Sequence, residues 1–90
     1  MRAAGSGLHL LYFAWLRERL GTTEERVDLP ASVRTVADLF AWQAGRGPTY
    51  RAAFAGPSRV RCAVNQDFAG GDAPVRPGDE IAFFPPVTGG

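Results

Sequence analysis

Along the chain, short apolar runs alternate with polar ones, and the spacing of the apolar positions changes from run to run. In residues 8–14 (LHLLYFA) the period is two: Leu8, Leu10 and Tyr12 share one face of a strand, and His9, Leu11 and Phe13 share the other. Residues 15–21 (WLRERLG) predict a short helix closed by Gly21. Residues 24–30 (EERVDLP) predict a second strand with Val27 and Leu29 on one side, ended by Pro30.

Over 32–45 the spacing becomes helical, and Val36, Leu39, Phe40 and Gln43 or Ala44 form one inward stripe. Thr35 and Asp38 have the separation of a capping box, and Gly45 suits the position just past the helix end. Residues 45–58 read as loop with one helical turn around 50–54. Residues 59–65 (RVRCAVN) predict a third strand with Val60, Cys62 and Val64 on one face. Residues 66–80 are turn-rich, with RPGD at 76–79 a tight turn, and 80–84 (EIAFF) is the last strand.

This order predicts one α+β domain: a sheet of four or five strands packed on one main helix. Residues 1–7 (MRAAGSG) read as a flexible N-terminal extension, 8–84 as the domain, and 85–90 as an extended tail.

Composition narrows the classes of function. With 46% hydrophobic and 21% charged residues the chain is globular rather than disordered. Its net charge is +1, and its ten basic residues and nine acids are dispersed, so no basic run tracks a phosphate backbone and no nucleic-acid partner is expected. All ten basic residues are Arg. Codon usage is the plain reading of that bias; the functional one is that the chain offers no side-chain amine to an activated acyl group. The single cysteine, Cys62, excludes an internal disulfide framework and a Cys-rich metal site, and suits a reducing cytoplasm. The apolar stretch 8–16 is too short to span a bilayer, so no membrane association is expected.

Internal catalytic equipment is sparse. The chain has no phosphate-binding glycine loop, no dinucleotide-type glycine motif and no HExxH. His9 is the sole histidine and stands without ligand-spaced partners, so neither a metal nor a bound cofactor is expected. Cys62 reads as a small buried hydrophobe; as a sulfur-accepting thiol it would lack a neighbouring base. Asp79 and Glu80 read as a solvated turn, because strand alternation sends adjacent side chains apart.

The closing run, FFPPVTGG, is different in kind. Pro85 and Pro86 fix φ and force an extended exit from the sheet. Val87 and Thr88 are β-branched and favour extension. Gly89 and Gly90 present bare backbone, so a terminal carboxylate passes where side chains cannot. The six residues after Phe84 reach about 20 Å, enough to enter another protein's active site.

AVNQ (63–66), RPGDEIAFFPPVTGG (76–90) and LYFAWLRERLG (11–21) together resemble the small subunit of molybdopterin synthase, the MoaD family. The resemblance implies a ubiquitin-like β-grasp fold and a sulfur-carrier role. It implies that Gly90 is adenylated by a MoeB-like, ubiquitin-activating-type enzyme using ATP and Mg²⁺, then converted to a thiocarboxylate. Pro85, Pro86, Val87, Thr88 and Gly89 would thread into a MoaE-like large subunit, in an assembly of two small and two large subunits. There the sulfur would pass to cyclic pyranopterin monophosphate and build the dithiolene of molybdopterin, with the catalytic side chains on the large subunit. Phe13, Phe68 and Phe84 would form the partner interface, and Arg17 would lie near the activating-enzyme contact. A carrier for thiazole synthesis, a protein modifier and a plain binding domain share parts of this pattern and remain open at this point.

Overall fold

The computed structural model describes residues 7–55 and 60–86. Residues 1–6 of the expected extension 1–7, residues 56–59 and the tail residues Val87, Thr88, Gly89 and Gly90 lie outside the described residues, while Gly7 belongs to the first strand.

Five strands and three helices follow one another as β1 (Gly7–Tyr12), α1 (Trp15–Leu20), β2 (Glu24–Asp28), α2 (Val36–Ala44), α3 (Pro48–Phe54), β3 (Arg61–Val64), β4 (Asp67–Ala69) and β5 (Glu80–Phe84). The strands form one mixed sheet in the order β2-β1-β5-β3-β4. β1 pairs antiparallel with β2 and parallel with β5, while β3 pairs antiparallel with both β5 and β4. The first and last strands are therefore neighbours at the centre of the sheet, and the helices cover one face. This is the α+β, β-grasp arrangement that the resemblance implies.

The period-two pattern of β1 and β5 decides which face is covered. Leu8, Leu10, Tyr12, Ile81 and Phe83 are almost completely buried, and they meet Leu16, Val36, Leu39 and Phe54 from the helices. Phe83 is the hub of this core: its ring stacks on Tyr12 at 5.7 Å and meets Phe40 and Phe54 edge-on at 5.6 and 5.1 Å. Burying side chains of this size contributes roughly 1.5–3 kcal/mol each.

α2 begins as its sequence predicts. The Thr35 hydroxyl accepts from the Asp38 N–H at 3.2 Å, and the Asp38 carboxylate accepts from the Thr35 N–H at 3.2 Å. Gln43, not Ala44, is the fully buried end of its stripe. Burial is tolerated because Gln43 Nε2 donates to Tyr12 Oη at 2.9 Å and its Oε1 accepts from Arg46 at 2.7 Å. Tyr12 and Tyr50 both donate to the Glu25 carboxylate, at 2.9 and 2.8 Å, and Arg46 pairs with Glu25 at 2.8 Å. One polar network thus ties β1, β2, α2 and α3 together. Burial would raise the Glu25 carboxyl pKa, but the bonds from Arg46, Tyr50 and Tyr12 outweigh it and hold it below the usual range.

Two sequence expectations need correction. The segment expected to be loop with a single turn carries α3, which runs from Pro48 at its first turn through Phe54. Its start has no side-chain cap, Gly47 standing at the N-cap position with a φ of 138°, and Pro48 in the first turn is the one start signal there. The turn-rich segment after residue 65 holds β4, which returns from β3 through a two-residue turn at Asn65 and Gln66, both at positive φ (51° and 75°). Asn-Gln is an uncommon choice for such a turn, where Asn-Gly is favoured. Here Asn65 is pinned: its amide donates to Asp79 at 3.0 Å, and its carbonyl oxygen accepts from the Glu80 N–H at 3.0 Å. Asp79 in turn accepts from the Arg76 N–H at 2.8 Å and closes the turn at 76–79, where Gly78 takes a φ of 91°. Asp79 thus fastens the turn through its carboxylate, and Glu80 contributes its backbone N–H.

Candidate functional site: an aromatic platform at the root of the tail

The uncovered face of the sheet follows from the register. Leu11, Ala82, Ala63 and Phe68 stand side by side across β1, β5, β3 and β4. One step toward the end of β5, Phe84 lies opposite Arg61, and the Phe13 N–H donates to the Phe83 carbonyl at 3.1 Å. Small residues occupy the middle of this face and aromatic ones its rim.

Phe68 is 85% exposed and Phe13 45%, while Phe84 is half-buried, its ring 5.8 Å from that of Phe68. Phe13, Phe68 and Phe84 thus leave apolar ring surface on the uncovered side of the sheet. The three aromatics expected at the partner interface therefore lie on the uncovered face or its border, with Phe68 and Phe84 in ring contact. Phe83, between them in sequence, points the other way into the core.

Phe13 projects because the chain turns sharply after it. Ala14 adopts a φ of 58°, uncommon for a residue with a side chain, and reverses β1 into α1. The same turn exposes Trp15 (37%), over which Arg19 lies at 5.4 Å. Trp15 belongs to the exposed aromatic set and was not singled out from the sequence, where it reads as part of the α1 pattern. Arg17 is exposed on α1.

At the end of β5 the chain passes through half-buried Pro85 and Pro86. Pro86 forms one wall of a groove of about 420 Å³, whose other walls are Arg61, Cys62, Phe68, Ala69, Gly70 and Phe84. The platform therefore runs into the root of the tail. Arg61 alternates with Ala63 on the outer face, and that spacing is the sequence signal for its place in the groove.

The chemistry available in the groove is limited. Cys62 is 2% exposed, its Sγ donates to the Ala69 carbonyl at 3.9 Å, and burial pushes its thiol up to about 11. His9 pairs with the Glu24 carboxylate at the opposite end of the sheet face. Among the described residues, no group of three His, Cys, Asp or Glu side chains could hold a metal ion, and no helix is long and apolar enough to cross a membrane. Among the described residues, the groove is lined by apolar side chains, one exposed guanidinium and one buried thiol.

Comparison with known proteins is decisive at this point, because the model of the ThiS family matches residues 10–90, nearly the whole chain. The chain belongs to the ThiS family. This ThiS-family chain is 40% identical over 85 residues to the molybdopterin synthase sulfur carrier subunit of Escherichia coli, covering 92% of the chain and 99% of that protein. It is 35% identical over 83 residues to the protein of the same name from Haemophilus influenzae, with the same coverage. Its fold matches the crystal structure of Haloferax volcanii small archaeal modifier protein 1 with a TM-score of 0.75 at 28% identity, over 92% of this chain and all of that one.

Proposed function

We propose that this chain is the sulfur carrier subunit of a molybdopterin synthase and carries sulfur as a thiocarboxylate on Gly90. The observation that carries the reading is the continuity of the Phe68–Phe84 platform with the root of the tail at Pro86. A partner seated on the platform would receive the tail directly. The similarity to two sulfur carrier subunits, each covered over 99% of its length, supports the pathway.

In this reading an adenylating, MoeB-like enzyme uses ATP and Mg²⁺ to convert the Gly90 carboxylate into an acyl-adenylate. A carboxylate is a poor electrophile, and adenylation supplies a good leaving group. Sulfur replaces AMP, and the charged tail enters a MoaE-like large subunit in an assembly of two small and two large subunits. There Pro85, Pro86, Val87 and Thr88 form the stiff arm, and Gly89 and Gly90 the slim tip. Phe13, Phe68 and Phe84 anchor the large subunit, Arg17 contacts the activating enzyme, and the cycle runs in the cytoplasm.

Intact-mass measurement tests this reading. The chain is incubated with ATP, Mg²⁺, an adenylating partner and a sulfur donor. A mass gain equal to exchange of one oxygen for sulfur, lost on deleting Gly90, is expected; no gain refutes the carrier role. Adding the large subunit and cyclic pyranopterin monophosphate is expected to yield molybdopterin, and failure at that step points instead to a thiazole-type pathway. The structural match to a modifier protein favours one second reading, transfer of the Gly90 carboxyl to amines of other proteins. Isopeptide adducts in extract would support it.

A further inference from the structure

The sheet face that carries the aromatic platform is charged unevenly from one corner to the other. We propose, resting on the carrier reading, that this uneven charge orients the large subunit on the platform. An acidic side chain of the partner meets Arg61 at the tail end, and a basic one meets the carboxylates at the opposite corner.

Strand alternation puts Glu24, Arg26 and Asp28 of β2 on the outer face, because the half-buried Glu25 and Val27 between them point toward the helices. Across the ladders Arg26 is level with His9, and His9 with Glu80. Glu24 reaches back to pair with His9. The corner away from the tail thus gathers three carboxylates, Glu24, Asp28 and Glu80, around one guanidinium and one imidazole. Asp28, Glu80 and Arg26 make no ion pair among the described residues, so their charges are open to a partner.

The tail end carries the other sign. Arg61 is exposed and level with Phe84, and it is the one charged residue lining the groove that Phe68, Phe84 and Pro86 also line. It too has no ion-pair partner among the described residues. Phe84 and Glu80 stand four residues apart on β5, about 13 Å along the strand, and β3 lies about 5 Å to the side. Uncharged Leu11, Ala82, Ala63 and Phe68 fill the space between. Salt at physiological strength screens over about 8 Å, so the two ends scarcely cancel and each shows its own sign to an approaching surface.

The occupant follows from position. Pro86, where β5 runs on toward the tail, shares its groove with Arg61, so a protein that takes up the tail sits against that guanidinium. Burial of small and aromatic side chains supplies affinity without direction. Charges of opposite sign at the two ends supply the direction, since docking the wrong way round sets like charges together. They also speed the encounter of the correctly turned pair. The partner surface that fits is apolar at its centre, with a carboxylate at the end that receives the tail and a cation at the other.

The test makes one and the same substitution at both ends. Association of the full chain with its cognate large subunit is followed by stopped flow for wild type, Arg61→Glu, Arg26→Glu and Arg51→Glu. Each variant changes the net charge equally, and Arg51 is exposed on α3, on the helical side of the domain. Circular dichroism confirms that all are folded. At low salt, Arg61→Glu is expected to associate roughly tenfold more slowly and Arg26→Glu severalfold faster, with Arg51→Glu close to wild type. At about 0.5 M salt the four rates are expected to converge. Arg61→Glu and Arg26→Glu moving in the same direction, or differences that persist at high salt, would overturn the proposal and leave the carrier reading standing. A wild-type chain that does not bind the large subunit at all would overturn both.

Discussion

Phe68→Ala separates binding from stability. Phe68 is 85% exposed, and among the described residues its only ring contact is with Phe84. Truncating it removes one aromatic pair, so unfolding free energy should fall by less than about 1 kcal/mol. Covered by a partner, the same ring would lose about 150 Å² of accessible surface, an upper contribution of about 4 kcal/mol at 25 cal/mol/Å². Alanine retains Cβ, and ordering the ring subtracts from the gain, which leaves roughly 2–3 kcal/mol. Affinity for the large subunit should therefore fall about 30- to 150-fold. Titration calorimetry with the large subunit measures the loss, and thermal unfolding of the free chain measures stability. Phe83→Ala is the counterpart: with Phe83 0% exposed, that change should cost about 3–5 kcal/mol of stability. A Phe68→Ala protein that binds within threefold of wild type, or melts as early as Phe83→Ala, would refute the assignment of this face.

Glu25→Gln should lower stability by about 2 kcal/mol near neutral pH, since it weakens charge-assisted bonds from Arg46, Tyr50 and Tyr12. Because the folded-state pKa of Glu25 is depressed, its contribution is complete above the unfolded carboxylate value of about 4.3 and is lost as pH falls through the folded value. The stability gap between wild type and Glu25→Gln should accordingly narrow below about pH 4 in urea titrations. Thr35→Ala should cost about 1 kcal/mol through loss of the α2 cap, read as a drop of several degrees in Tm. Gln66→Gly should raise Tm by a few degrees, since Gln66 sits at a φ of 75° that glycine adopts without strain.

What the sequence made legible depended on how local the cause was. The alternation Leu8, Leu10, Tyr12 and the pairing of Thr35 with Asp38 are set within a few residues, and both appear in the structure as expected. Strand alternation puts Phe83 and Phe84 on opposite faces, and the packing of Phe83 against Tyr12, Phe40 and Phe54 decides which of them faces inward. α3 was hidden because its stability comes from Phe54 and Tyr50 packing onto distant partners while its start lacks a cap. β4 was hidden because three residues carry little pattern and their pairing is set by Asn65, itself held by Asp79 and Glu80 from another turn. The network around Glu25 joins residues between 13 and 25 positions apart, and no spacing rule connects them.

The central placement of β5 has a mechanical consequence. Backbone hydrogen bonds run across a strand, roughly perpendicular to its length. Traction on the tail acts along β5, which is clamped by β1 on one side and β3 on the other. The load is therefore shared by both ladders at once in shear, instead of peeling them open one bond at a time. Under the proposed function, in which the tip passes between two enzymes, the tail hangs from the strand best placed to resist the pull.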